Sequence, residues 1–394
     1  MSPAAGSGRV LTVNGGSSSV RFAVFARGLE RLAHGRIERI GLADTTLCAT
    51  GPAGPCERRV EAADHAAAAS VLIDWLAAEG ILEALAAVGH RVVHGMGRTE
   101  PQSLTPELLA ELERFAAYDP EHLPREIALM RACAVRLPRV AQIACFDTAF
   151  HSQMPPVARR LPLPRRYAEQ GLRRYGFHGL SYAYLCEELA RLGDPAIRRG
   201  RVILAHLGSG ASMAAVLDGR GIDTTMGFTP ASGLVMGTRS GDLDPGIAYY
   251  FARSEHFDAE RFQRMVNHES GLLGVSSVSP DVRDLLAREA GDAHAAEALE
   301  LFCYQARKTV GALAAALGGL DTLVFSGGIG ENAAPIRARI CAGLEFLGLR
   351  LDPERNRAHA PLISAENGAV RVRVLHTDEE RMIARAAVAA KEEM

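Results

Sequence analysis

Residues 10–25 read VLTVNGGSSSVRFAVF: an apolar run with β character, a stretch built only of Asn, Gly and Ser, and a second β-type run. That pattern predicts a hairpin with a polar, backbone-rich turn over 14–19. The same design returns in 202–217, VILAHLGSGASMAAVL, with Gly208-Ser209-Gly210-Ala211-Ser212 as the turn and Asp218-Gly219 opening the next one. Outward from the first hairpin, helical stretches at 62–76, 106–117 and 125–135 alternate with strand-like runs at 88–93 and 140–146. The second half repeats this, with helices at 183–192, 281–289 and 293–317, a strand at 322–325, a glycine loop and a helix at 335–344. Alternating elements of this kind predict an α/β fold, a mixed or parallel sheet covered by helices. Its repetition predicts two similarly built halves facing each other across a cleft. The boundary is expected near residue 150, where a connection rich in proline and arginine begins (Pro155, Pro156, Pro162, Pro164).

The length of 394 residues allows two domains, and 48% hydrophobic with 23% charged residues excludes a disordered chain or a coiled coil. Net charge is −2 with the signs interspersed, so no nucleic-acid partner is indicated. Of the 44 basic residues only Lys308 and Lys391 are lysines, which removes a Walker-type phosphate loop. Seven scattered cysteines without a C-x-x-C pair fit a reducing cytoplasm better than a disulfide framework or zinc knuckle. Residues 1–9 hold no apolar leader, and the apolar stretch 66–88 is broken by Asp74, Glu79 and Glu83, so no membrane association is expected.

Several segments are equipped for chemistry. Asn14-Gly15-Gly16-Ser17-Ser18-Ser19 and Gly208 to Ser212 each suit phosphate oxygens through backbone N–H groups, and each also reads as an ordinary turn. Ser326-Gly327-Gly328-Ile329-Gly330-Glu331-Asn332 lies between a strand and a helix, where glycine admits a ligand close to the backbone. With Ala333 and Asp352 it also matches a dinucleotide fingerprint, although too little chain follows to complete a dinucleotide-binding domain. Thr238-Arg239-Ser240 offers an arginine on a small-residue loop. His90 and His94 have zincin spacing, but Arg91 stands where the glutamate belongs; Arg91 itself is a candidate anion ligand at a strand end. Asp147 follows an apolar strand, as a carboxylate that orients substrate or metal does, and as a turn cap does equally. His178 stands between small and aromatic residues and reads alone as a structural histidine.

Taken in order, FDTAFH (146–151), YGFHG (175–179), MGTRSGDLDPG (236–246) and GGIGEN (327–332) resemble the acetate kinase family, within the superfamily of actin, hexokinase and the heat-shock ATPases. The likeness runs from the Asn14 turn to Thr377-Asp378-Glu379-Glu380. It implies two duplicated ribonuclease-H-like domains with five-stranded mixed sheets. Residues 1–150 would bind the acyl substrate and phosphate, 151–380 the nucleotide and a second subunit, and 381–394 would form a helix returning to the first domain. The implied reaction is reversible, Mg²⁺-dependent phosphoryl transfer from ATP to acetate, giving acetyl phosphate and ADP in a cytoplasmic homodimer, with Mn²⁺ as substitute metal. Carried onto matching positions, Asn14 and Glu379 would hold the metal, and Arg91 and Arg239 would grip the carboxylate and the migrating group. His178 would stabilise the transition state and Asp147 would be the catalytic acidic residue. Arg21, His206, Leu207, Gly208, Ser209, Gly210, Asp281, Val282, Arg283, Gly328, Ile329, Gly330, Glu331 and Asn332 would contact the nucleotide, while Val93, Phe177 and Pro230 would line the acyl pocket.

Phosphoryl transfer is mostly positioning and electrostatic stabilisation, so two arginines, a histidine and a metal ion are suitable equipment. Acetate is already ionised at neutral pH, so Asp147 is expected to orient Arg91 or Mg²⁺ rather than to take a proton. The chain departs from the family pattern at Arg21, where lysine is common, at Ser209, where asparagine is typical, and at Met96, which interrupts a glycine pair. Residues 116–123 depart as well, and Ala117 in place of a leucine would enlarge the pocket and admit propionate. The other readings are a propionate or butyrate kinase, a non-catalytic sensor of ATP or acyl phosphate, and a nicotinamide dehydrogenase.

Overall fold

In the computed structural model, which describes residues 8–393, β1 (Arg9–Gly15) pairs antiparallel with β2 (Ser19–Phe25). The turn is tighter than the sequence suggests. Gly16 N–H donates to Ser19 O at 2.7 Å, so Asn14, Gly15 and Ser19 belong to the strands and only 16–18 form the bend. The strands β3 (Arg31–Glu38), β4 (Thr46–Gly51), β5 (Gly54–Arg59), β6 (Leu85–Val92), β7 (Gln102–Ser103) and β8 (Ala141–Phe146) complete a first sheet in the order β5-β4-β3-β2-β1-β6-β8-β7. A second sheet holds β9 (Arg201–Leu207), β10 (Ala211–Leu217), β11 (Arg220–Thr224), β12 (Thr322–Ser326) and β13 (Arg371–Val374) in the order β11-β10-β9-β12-β13.

The central five strands of the first sheet, β3-β2-β1-β6-β8, repeat the second sheet strand for strand. In both, two antiparallel pairings are followed by two parallel ones. The repeated hairpin therefore marks a duplicated α/β architecture of two mixed sheets flanked by helices. The first sheet has eight strands rather than five, because β4 and β5 extend one edge and β7 the other.

The chain divides into two compact units, one running to Ala149 and resuming at Asp378, the other Phe150–Thr377. In the first, β1 is apolar and buried along nearly its whole length, and helix His65–Ala78 presents Leu72, Ile73, Trp75 and Leu76 to the same core. Trp75 packs on Phe22 with ring centroids 5.3 Å apart. Each such side chain contributes about 1.5–3 kcal/mol when fully buried. Asp64 caps the helix through Ala67 N–H, and its β-branched residues are few, so local preference and packing agree. In the second unit, helix Ala293–Leu317 starts at the Asp292 cap and ends at Gly318 with φ of 71°, as a Schellman-type stop requires. Among the described residues no helix is long and apolar enough to cross a membrane, and all seven cysteines are free thiols.

One predicted loop is a helix. Gly327–Asn332 winds directly out of β12 because Gly327 turns the chain at φ of 76°, with Leu207 O only 2.7 Å from where a Cβ would sit. Asp352 is not at a strand end but caps helix Pro353–Arg357 through the Glu354 and Arg355 N–H groups. Both observations remove the dinucleotide reading, which needs a glycine loop and a free strand-end acid. The zincin spacing is equally without use, since His90 in β6 is bonded through Nε2 to Gln142 Oε1 at 2.8 Å and burial pushes its pKa down to about 4.

Helix Glu379–Glu392 closes the first unit over β1, β6 and β8, burying Met382, Ile383, Ala384 and Ala387. Its close approach depends on Gly89, where a Cβ would stand 2.6 Å from Ile383 Cγ2 and 3.1 Å from Ala387 Cβ. Gly89→Ala is expected to lower the stability read by urea unfolding by about 1–3 kcal/mol through overpacking, whereas Gly28→Ala, in open space, should leave it unchanged.

Candidate active site

Three parallel neighbours, β1, β6 and β8, bring their carboxyl ends to one edge of the first sheet, and with them Asn14, Arg91 and Asp147. Arg21 joins them from β2, directly opposite Asn14 in the register. Glu379 opens the C-terminal helix at the same place, its Oε2 accepting from Asn14 Nδ2 at 3.0 Å. Arg91 Nη2 donates to Asp147 Oδ2 at 2.6 Å, and Nη1 lies 3.4 Å from Asn14 Oδ1. Asp147 is fully buried and Arg91 is 14% exposed. Burial alone would lower the arginine's pKa; the charges of Asp147 and Glu379, with the Asp147 hydrogen bond, outweigh it and raise the pKa, so the guanidinium stays charged.

Glu126, on helix Leu123–Arg136, was not singled out by sequence. Its Oε2 accepts the Val93 N–H at 3.0 Å, while Oε1, like Arg91 Nε, is buried with no hydrogen-bond partner. Burial pushes its pKa up to about 8, with Arg91 opposing only in part, so the group is largely protonated at neutral pH. The signal was present, a carboxylate inside the apolar stripe of Leu123, Ile127 and Met130. Val93 itself is buried.

The second unit repeats the arrangement at the carboxyl ends of β9, β12 and β13. His206 lies near the end of β9, followed by Leu207 and the turn Gly208-Ser209-Gly210, closed by Gly208 N–H to Gly210 O at 3.0 Å. His178 caps helix Gly179–Arg191 in the left-handed region, φ 57° and ψ 25°, and its ring stacks on His206 at 4.3 Å and 25°. Phe177 is buried, its carbonyl bonded to His151 Nε2 at 2.9 Å. Arg239 Nη1 lies 3.4 Å from the carbonyl of buried Pro230. His178 Nε2 and Arg239 Nη1 come within 3.5 and 3.6 Å of the same point, where a Cβ on Gly210 would be.

Helix Gly327–Asn332 is held from within: Glu331 Oε1 accepts the Gly327 N–H at 2.9 Å, Glu331 also contacts His376, and Asn332 Nδ2 donates to Gly328 O at 3.0 Å. Beneath it Arg337, fully buried, donates to the carbonyls of Gly330 and Glu331 at 2.8 and 2.9 Å and to Asn356. Burial lowers its pKa to about 10, leaving it charged at neutral pH. Gly328 is exposed and Ile329 half-buried. Asp281 caps the helix containing Val282, and pairs with exposed Arg283.

Asn14 and Glu379 together offer one amide oxygen and one carboxylate. Among the described residues no group of three or more His, Cys, Asp or Glu is arranged for a metal. The pair nonetheless suits Mg²⁺, which keeps most of its waters and shares itself between one or two protein oxygens and phosphate. Of the departures from the family pattern, Arg21 and Ser209 are exposed, and Met96 adopts φ of 56° while its side chain remains in the core with Val92 and Phe146. Ala117 does not enlarge a pocket. It is exposed on a short 3₁₀ turn, and Tyr118 is the residue that reaches inward, edge-on to His94 at 6.1 Å.

Between pH 4.5 and about 8 the folded chain holds a proton on Glu126 that the unfolded chain has released, so its contribution to stability is lost as pH rises through that window. Glu126→Gln keeps the Val93 acceptor without the charge. Its stability relative to the parent should rise by roughly 2–4 kcal/mol between about pH 5 and pH 8.5 in urea titrations, and parallel curves would mean that Glu126 is ionised in the fold.

Known proteins resemble this chain over nearly its whole length. The family model described as the acetokinase family matches residues 9–385. An acetate kinase from Rhodopseudomonas palustris (strain TIE-1) is 45% identical over 386 residues, covering 95% of this chain and 96% of that protein. A propionate kinase from Citrobacter freundii is 44% identical over 385 residues, covering 95% of each. The crystal structure of a propionate kinase from Francisella tularensis subsp. tularensis SCHU S4 superposes with a TM-score of 0.91 at 36% identity, covering 96% of this chain and 98% of that one. That of Porphyromonas gingivalis acetate kinase gives 0.87 at 36% identity, covering 97% and 99%. With likeness over nearly its whole length, the chain belongs to the acetokinase family and is a phosphotransferase with a carboxylate as acceptor.

Proposed function

We propose that the protein transfers the γ-phosphoryl group of ATP to acetate, reversibly, forming acetyl phosphate and ADP with Mg²⁺ or Mn²⁺, as a cytoplasmic homodimer. The observation that carries this reading is the buried Arg91–Asp147 pair beside Asn14 and Glu379. An arginine fixed by one carboxylate presents its remaining donors to a second, the substrate's, in the planar geometry guanidinium recognises. Acetate is already an anion, so no base is required, and Asp147 serves as a positioning residue that keeps Arg91 charged and oriented. Buried Val93, two residues on from Arg91, supplies apolar surface for the methyl group.

On the nucleotide side, Arg239 and His178 donate to the equatorial oxygens of the migrating group, where negative charge spreads during a loose transition state. Residues 206–210 and 328–332, with Asp281, Val282 and Arg283, hold the nucleotide. Asn14 and Glu379 would hold Mg²⁺, which would neutralise negative charge on the phosphates. Propionate is the second acid to test, since relatives named for acetate and for propionate match this chain at 45% and 44% identity.

Hydroxamate trapping with ATP, Mg²⁺ and acetate, propionate or butyrate tests the proposal. Product should form fastest with acetate or propionate, and Arg91→Ala and Arg239→Ala should each lower kcat/KM by about 10²–10³-fold. No hydroxamate with any acid, despite ATP binding, would favour the sensor reading. Asp147→Asn should lower kcat without altering the solvent isotope effect. A proton-transfer isotope effect in the parent that the variant loses would make Asp147 a base.

A further inference from the structure

His178 and His206 stack in parallel, and each is tied at Nδ1 to a serine hydroxyl that is itself tied to a second hydroxyl. His178 Nδ1 meets Ser212 Oγ at 2.8 Å, and Ser212 Oγ is bonded in turn to Tyr182 Oη. His206 Nδ1 meets Ser181 Oγ at 2.8 Å, and Thr377 Oγ1 donates to Ser181 Oγ at 2.8 Å. Ser181, Tyr182 and Ser212 are fully buried. Tyr182 is further fixed by Phe150 and His151, each ring 5.7 Å away.

A hydroxyl carries one proton, and that count sets the direction of the relay. The Tyr182 phenol is a stronger acid than an alcohol, so it donates to Ser212. Accepting from Tyr182, Ser212 is left with its own proton to direct at His178 Nδ1, and in that arrangement Nδ1 is the unprotonated nitrogen. A neutral imidazole of this kind holds its hydrogen on Nε2, the atom that shares the neighbourhood of Gly210 with Arg239 Nη1. The second relay runs the same way, from Thr377 through Ser181 to His206. Two imidazolium charges at stacking distance would repel, so the stacked pair disfavours a charge on both rings at once.

We propose that Ser212 and Tyr182 are positioning residues that fix His178 as the neutral Nε2–H tautomer, a hydrogen-bond donor aimed at the same anion as Arg239. For its catalytic consequence this rests on the function proposed above; for the tautomer it does not. The left-handed backbone at His178 suits the arrangement, since it sets the ring direction before any ligand arrives and the relay then sets which nitrogen carries the proton.

The test is long-range ¹H–¹⁵N spectroscopy of histidine-labelled protein near neutral pH without substrates, with the His178 signals assigned through His178→Gln. The proton is expected on Nε2 in the parent and in Ser212→Thr. In Ser212→Ala it should redistribute toward Nδ1, with kcat lower by about 10–100-fold and the KM for ATP little changed. Tyr182→Phe should give a smaller shift of the same sign. A parent His178 protonated on Nδ1 or on both nitrogens overturns the proposal, as does an unchanged tautomer in Ser212→Ala. If Ser212→Ala does not fold, Tyr182→Phe and Ser212→Thr decide the matter by the same signals. An Nε2–H tautomer in a protein that phosphorylates no acid would leave this inference standing and remove only the reaction.

Discussion

A guanidinium that is 14% exposed and a carboxylate that is fully buried have no acceptable state except together. Either charge alone in that position would forfeit several kcal/mol of hydration, so the Arg91–Asp147 contact fixes where two strand ends must lie. β6 and β8 are held in register by their backbone ladder, and the ion pair ties their carboxyl ends together where that ladder finishes. Asn14 and Glu379 are then set by what remains, one through its contact with the arginine and the other through the Asn14 amide. Glu126 is affected in the opposite sense. Its low polarity surroundings outweigh the attraction of Arg91, and it keeps its proton.

The duplicated strand order shows how one chain obtains two such edges. In each half, a hairpin supplies antiparallel partners and two crossovers supply parallel ones, so three strands end side by side and their following residues converge. What differs between the halves is chemistry, not architecture. The first edge gathers an ion pair and an acid–amide pair, whereas the second gathers imidazoles, hydroxyls and a single arginine. The additional strands β4, β5 and β7 lengthen the first sheet without touching this edge logic.

The hairpins and strand ends were legible because turn chemistry and apolar runs are local signals; Asn14 and Arg91 lie next to last in their strands and Asp147 directly follows its own. Helix Ala293–Leu317 was equally plain, with an aspartate before it and a glycine after it. Residues 327–332 misled, since glycine argues for a loop and only the crowding of Leu207 shows why the chain must wind at once. β4 and β5 were missed because TLCATG and GPCERR lack clean alternation and contain glycine and proline. Ser181, Tyr182, Ser212 and Thr377 carry no signal in one dimension. A hydroxyl within an apolar element acquires meaning only when strand register and helix phase place another polar group beside it.

The first unit is built from two separated stretches of chain, and the second from one continuous stretch between them. During synthesis, Phe150–Thr377 can bury its core as soon as it emerges, while β1, β6 and β8 stay uncovered on one face until helix Glu379–Glu392 has been made. That same helix brings Glu379. The acidic partner of Asn14 therefore arrives only after the whole second unit has been made, and a nascent chain lacks part of its proposed metal site until the first sheet is covered.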